Sequence, residues 1–185
     1  LRAAAAEMPL SLDDIALFPA YYVMNFREEF QENVIDYFID DYLHGRTPNP
    51  CIACNRYVKW ESLLKRSLDI GAEYIATGHY ARVEKLSNGR YAIRNSATAA
   101  KDQTYALYNL TQDQLSKTLM PVGEYNKTQI RQIAADIGIQ VANKPDSQDI
   151  CFVSDGDYAS YIEENSDAYG CRIFPCSAPD APFLR

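Results

Sequence analysis

A chain of 185 residues, 47% hydrophobic and 23% charged, is long enough for one domain with a real core and short for two. Its formal net charge of −7 argues against a generally basic nucleic-acid binder, and no apolar run approaches the roughly 20 residues of a membrane span. Five cysteines are an odd number for an extracellular disulfide scaffold, and the start "LRAAAAEMPLSLDD" lacks the apolar core of a secretory signal, so a reducing, cytoplasmic setting is expected.

In chain order, "FREEFQENVIDYFIDDYLHG" sets Phe30, Val34, Phe38 and Tyr42 on one stripe, with Ile35, Ile39 and Leu43 beside it. That period predicts a helix, with Gly45 as its stop. "RTPNPCIACN" reads as an ordered loop, because Pro48 and Pro50 fix φ and restrict the residues before them. A second helix is expected from about Val58 to Leu68, ending at Gly71. "EYIATG" reads as a short buried strand that finishes at Gly78 and His79, and "ARVEKLSNGRYAIRN" as a hairpin turning at Asn88-Gly89.

From about Gln103 the pattern turns helical. Thr111 and Gln114 form a capping box, and "KTQIRQIAADIG" puts Ile130, Ile133, Ala134 and Ile137 on one helix face with Gly138 at C′. "IQVA" and "ICFV" read as short strands on either side of the polar loop "NKPDSQD", the second carrying Cys151. Helices alternating with short apolar strands predict an α/β domain with a mainly parallel sheet and flanking helices. Ligands of such sheets collect at the carboxyl ends of strands, where Gly78 and His79 would lie.

Charge is unevenly spread. Residues 27–41 hold six acids against Arg27, whereas residues 42–66 hold Arg46, Arg56, Lys59, Lys65 and Arg66 against Glu61. Either a basic face surrounds the cysteines or two helices simply present solvated surfaces. Cys51 and Cys54 have the spacing of a redox couple, half a metal site or a sulfur-carrying nucleophile. Thiolate needs nearby positive charge or a helix N-terminus to form near neutral pH. Cys54 precedes the expected helix, with Arg56 and Lys59 close in sequence, so it is the expected activated thiol.

Four segments, "GRTPNPCIACNRYVKW", "GAEYIATGHYARV", "KDQTYALYNLTQDQLSKTLMPVGEYNKTQIRQIAADIGI" and "NKPDSQDICFV", occur in an order that resembles the tRNA-specific 2-thiouridylases, the MnmA or TrmU family. The resemblance covers roughly residues 21–165. It implies a PP-loop ATPase-type catalytic domain, of the adenine nucleotide α-hydrolase kind, that thiolates C2 of the wobble uridine in tRNA. It implies ATP with Mg²⁺, a tRNA partner and a sulfur donor protein, either a persulfide relay or a cysteine desulfurase. By the same resemblance Cys54 is the nucleophile and Cys151 the persulfide carrier. Asn49, Pro50 and Cys51 face the target base, Gly78 contacts ATP, and His79, Lys101, Asp102 and Gln103 contact tRNA.

Two departures matter. Many members carry aspartate where this chain has Cys51, so Cys51, Cys54 and Cys151 are also candidate ligands of a [4Fe–4S] cluster with one open iron. The family's phosphate-cradling Gly-rich loop lies N-terminal, whereas the first glycine here is Gly45. The expectation is therefore a partial catalytic domain over residues 1–165, atypical over 1–20, with a helical tRNA-facing part at 103–140 and an atypical tail at 166–185. Alone it is expected to be inactive. The rival readings are a tRNA-binding piece without chemistry and a structural zinc site joining Cys51 and Cys54 to Cys171 and Cys176.

Overall fold

The computed structural model describes residues 22–139, 150–153 and 156–166. Its first helix, α1 (residues 27–43), runs through Arg27–Phe30, a wider π-type turn at Gln31–Ile35, and Asp36–Leu43. The amphipathic stripe explains it: Val34, Phe38 and Ile39 are buried. Gly45 stops it as expected, at φ 71°, a left-handed conformation that a Cβ would oppose.

Helix α2 (residues 50–69) corrects the expected loop. It comprises Pro50–Ala53, a π-type stretch Cys54–Leu63, and Leu64–Asp69. The two prolines do fix φ, but Pro50 stands at the first helical position, where a missing N–H costs nothing. Asn49 supplies the cap, its Oδ1 accepting the Ile52 amide at 3.2 Å. The helix therefore begins eight residues before the expected Val58, and both cysteines ride on it.

The expected strand shrinks to β1 (Ile75–Ala76), paired in parallel with β4 (Thr118–Leu119), Ile75 opposite Thr118. Strands β2 (Ala81–Lys85) and β3 (Tyr91–Asn95) form the predicted antiparallel hairpin, with Val83 opposite Ile93. Among the described residues the strands thus form two two-stranded sheets, one parallel pair and one hairpin, flanked by helices. After a 3₁₀ turn at Thr104–Ala106, the Thr111 capping box starts α3 (Gln112–Ser116). Asn126 caps α4 (Lys127–Asp136), and α5 (Tyr158–Ser166) ends the described chain. The apolar face expected on α4 is only half covered: none of its residues is fully buried, and Ile137 just beyond it is 59% exposed.

"ICFV" is a turn, not a strand. Val153 donates its amide to the Ile150 carbonyl at 3.0 Å, which closes the turn, and Phe152 enters an aromatic cluster with Phe30 and Phe38. Residues 140–142 of "IQVA", residues 1–21 and the tail from 167 on lie outside the described residues. No helix among those described is long and apolar enough to cross a membrane.

One core unites Trp60, Leu64, Ile75, Ala81, Leu107 and Met120, joining α2 to both sheets. Trp60 is 1% exposed and donates its indole N–H to Thr118 Oγ1 at 2.7 Å, so its polar edge is satisfied inside. Gly123 lies where a Cβ would stand 1.9 Å from the Ala81 carbonyl oxygen, which only glycine permits. A second core packs Phe38 and Ile39 of α1 against Val153 and Ile162.

Candidate active site

The approach to α2 is fastened on the α1 side. Arg46 Nε meets Asp41 Oδ1 at 2.5 Å and its Nη2 meets Asp40 Oδ2 at 3.1 Å. Tyr37 lies beside the Asn49 amide: burial pushes the phenol up, the Asn49 N–H pulls it down, and Asp41 pushes it up again. Pro48 and Pro50 are buried beneath this turn, Cys51 is exposed on it, and Cys54 is half-buried one turn later.

Cys151 reaches the same place from the other end of the sequence. Its neighbour Phe152 is the anchor, packing edge-to-face on Phe30 (5.7 Å) and Phe38 (5.3 Å) and tilted on Tyr161 (5.6 Å). Cys151 itself stays exposed at the tip of the turn. Charge on Cys151 is felt by both Cys51 and Cys54, so the three thiols lie near one another, and all three are free.

The expected activation of Cys54 is corrected. Burial pushes the Cys54 thiol above its ordinary value; Lys59 opposes this, and Cys151 and Cys51 add to it. Cys51 is exposed as a residue, but partial desolvation of its sulfur raises it likewise, with Cys151 adding and Lys59 opposing. Two physical reasons account for the difference. Because α2 starts at Pro50, Cys54 lies past its first turn, where the free N–H groups no longer point. Arg56 is engaged elsewhere, 3.5 Å from Glu61 and 4.7 Å over the Tyr57 ring.

Lys59 is the cation that both thiols feel. Its Nζ donates to Asn55 Oδ1 at 2.9 Å. Asn55 is 3% exposed and donates its own amide to the Ala106 carbonyl at 3.1 Å, which ties the cysteine helix to the segment after β3. His79 completes this wall, its ring 5.5 Å from that of Trp60 and its Nδ1 sharing a 2.9 Å hydrogen bond with Thr77 Oγ1. Burial, and then Lys59, lower the His79 pKa to about 4, so the imidazole is neutral at pH 7. Gly78 beside it is exposed, and a Cβ added there would meet nothing within 4 Å.

Lys101, Asp102 and Gln103 divide in role. Lys101 is exposed. The Asp102 carboxylate is turned onto its own loop, where Oδ2 accepts the Ser96 amide at 2.7 Å and Oδ1 accepts the Thr104 amide at 3.0 Å and the Thr104 hydroxyl. Burial pushes its pKa up, but the bonds from Thr104 and Ser96 outweigh this and hold it below the usual range. Gln103 is sewn to Tyr80, accepting its N–H and donating to its carbonyl, each at 2.9 Å.

Cys51, Cys54 and Cys151 therefore come together with Lys59 and His79, while Asp102 and Gln103 shape the neighbouring loop. Sequence reading had Lys59 only as a nearby charge and missed Asn55, whose sole signal was the i, i+4 spacing of Cys51, Asn55 and Lys59 on a helix not expected to start so early. Cys171 and Cys176, the other half of the zinc reading, lie outside the described residues.

Comparison with known proteins bears on this geometry. Residues 16–155 match the family model described as the tRNA methyl transferase HUP domain. Over 155 residues the chain is 72% identical to the tRNA-specific 2-thiouridylase MnmA of Lachnoclostridium phytofermentans, covering 84% of this chain and 43% of that protein. It is 59% identical over 147 residues to the MnmA of Clostridioides difficile, covering 79% of this chain and 41% of that protein. The MnmA of Clostridium kluyveri is 61% identical over 143 residues, 77% of this chain and 40% of that protein. The chain thus spans about two-fifths of the length of these relatives.

Proposed function

The chain belongs to the tRNA methyl transferase HUP-domain family, and from that premise we propose that it is part of a tRNA-uridine 2-sulfurtransferase acting on the wobble uridine. The observation that carries the reading is the meeting of three thiols, from two segments distant in sequence, beside one ammonium group. The names of its relatives supply the substrate class.

ATP, with Mg²⁺, is a substrate of this reaction and supplies the adenylyl group that makes the uracil O2 a leaving group; the open backbone at Gly78 suits a nucleotide. Cys151, exposed at the tip of its turn, accepts a persulfide from a donor protein. The terminal sulfur attacks C2 and AMP departs, leaving the base joined to Cys151 through that sulfur. The Cys54 thiolate then attacks the Cys151 sulfur. The bond to the transferred sulfur breaks, its electron pair stays with the sulfur that becomes the C2 thione, and a Cys54–Cys151 disulfide remains for an external thiol to reduce.

The other residues serve position. Asn49, Pro50 and Cys51 border the base. His79 meets tRNA as a neutral hydrogen-bonding group rather than as a cation, Lys101 contributes charge, and Asp102 and Gln103 hold the loop that presents it. Among the described residues no three His, Cys, Asp or Glu side chains, Cys51, Cys54 and Cys151 included, are arranged to hold one metal ion, and the sulfur is carried by the thiols themselves. A tRNA substrate fits a cytoplasmic setting.

The test is a hybrid in which residues 22–166 replace the matching stretch of the Lachnoclostridium phytofermentans relative. With ATP, a persulfide donor and unmodified tRNA, the hybrid should form 2-thiouridine, detected by mass spectrometry of the digested tRNA. Cys54→Ser and Cys151→Ser should each abolish it. A hybrid still active with either serine overturns the reading.

A further inference from the structure

Two tyrosines alternate with two buried residues in the segment that Asn55 holds. Tyr105 is 60% exposed and Tyr108 is 69% exposed, whereas Ala106 and Leu107 between them are 6% and 0% exposed. Leu107 belongs to the main core, and the Ala106 carbonyl accepts the amide of Asn55, the residue after Cys54. The backbone from 104 to 107 is fixed by a 3₁₀ turn whose first amide, that of Thr104, is accepted by Asp102 Oδ1 at 3.0 Å. Both rings are thus held out into water by an anchored backbone, and that backbone is bonded to the helix of the reactive cysteines.

A third exposed tyrosine lies near Tyr108. Tyr37 on α1 is 38% exposed, lies beside the Asn49 amide that opens α2, and is close enough to Tyr108 for charge on that phenol to reach it. Isolated exposed aromatics need no explanation. Three around one reactive site, on rigid elements, make a surface with a definite use.

We propose that Tyr105, Tyr108 and Tyr37 form a stacking ledge for unpaired RNA bases on either side of the base presented to Cys54 and Cys151. The proposal rests on the tRNA reading above. The chemistry favours unpaired RNA: splayed bases stack on tyrosine faces without a sequence code, each such contact carrying much of the affinity, and paired bases cannot offer their faces. The same surface explains how a target base is kept out of its stack long enough to react, since its neighbours have another place to stack.

The experiment uses this 185-residue chain and two labelled probes: an RNA hairpin with a uridine in its unpaired loop, and the same sequence closed into a full duplex. Binding is read by fluorescence anisotropy, and circular dichroism confirms folding of each variant. Tyr105→Ala and Tyr108→Ala should each weaken hairpin binding roughly 5- to 100-fold. Tyr105→Phe and Tyr108→Phe should stay near the parent, and duplex binding should change little in any variant. Alanine variants that bind the hairpin like the parent overturn the ledge and leave the tRNA reading standing. A parent chain that binds neither probe overturns both.

Discussion

Asn55 and Lys59 form the hinge between scaffold and chemistry: Lys59 Nζ donates to the Asn55 side-chain carbonyl at 2.9 Å, on the face of α2 that carries Cys51. Because Asn55 also donates to Ala106, one buried amide orients a cation on one side and a backbone segment on the other. Asn55→Ala should leave the Ala106 carbonyl unpaired and destabilise the chain by about 1–3 kcal/mol. Urea unfolding measures this. Asn55→Gln has the same groups one methylene too far and should recover only part of it.

Gly123→Ala tests the tightest packing contact. The new Cβ would lie 1.9 Å from the Ala81 carbonyl oxygen and 2.7 Å from its carbon, and the Ala97 amide is bonded to the Gly123 carbonyl at 2.8 Å. The backbone has to shift between β2 and the turn after β4, at a cost of roughly 3 kcal/mol or more. Thermal unfolding should show a lowered midpoint. An unchanged midpoint means this turn packs less closely on β2.

These two contacts show which parts of the fold were legible in the sequence. Helix α1 and the capping boxes of Thr111 and Asn126 are local devices, complete within a few residues, and the first two were read correctly. Pro50 was misread because proline serves both a loop and a first helical turn, and the deciding partner, the Asn49 side chain, acts only once the helix exists. The two-residue pairing of β1 with β4 and the Asn55–Ala106 bond join residues far apart in sequence, and no periodicity announces them. The convergence of Cys151 with Cys51 and Cys54 was expected from family resemblance alone, since spacing cannot bring such distant residues together.

Phe152 is the residue through which packing controls chemistry. Phe152→Ala removes contacts with Phe30, Phe38 and Tyr161, and should cost about 2–4 kcal/mol for a half-buried ring. It also releases the turn that presents Cys151. Under mild diamide oxidation the parent chain should yield a Cys54–Cys151 disulfide, seen as a linked peptide by mass spectrometry. The variant should form it several-fold more slowly. Equal yields would mean that Phe152 does not hold Cys151 in place.

His79 makes stability depend on pH in a definite direction. Its pKa is lowered to about 4 in the folded chain, first by burial and then by Lys59, so between that value and the unfolded value of 6.5 the unfolded chain binds more protons. Stability should therefore fall as pH drops from about 6.5 to 4, by at most about 3 kcal/mol from this group. His79→Gln should flatten the curve in that window. A titration by NMR showing an imidazole midpoint near 6.5 would remove the basis for a neutral His79 contact.

Cys51 and Cys54 differ in exposure, and that difference predicts their separate roles. Cys54 is half-buried next to Lys59, the one group among the described residues that favours its thiolate against burial, whereas Cys51 lies exposed at the border of the site. Cys51→Asp places a carboxylate, ionised at neutral pH, where a neutral thiol stood. That charge opposes thiolate formation at Cys54, in the same sense in which Cys51 already raises it. Solvent screening at an exposed position limits the effect, so alkylation of Cys54 by iodoacetamide at pH 7 should slow about 2- to 5-fold. In the hybrid enzyme this variant should keep substantial thiolation, because the carboxylate still borders the base and both sulfur-handling cysteines remain. Cys54→Ser should give none, since an alcohol is scarcely ionised at neutral pH and cannot take part in thiol–disulfide exchange. Thiolated tRNA per enzyme, measured beside the alkylation rates, separates the two positions. Loss of thiolation in Cys51→Asp with Cys54 still readily alkylated would make Cys51 itself a participant in sulfur transfer.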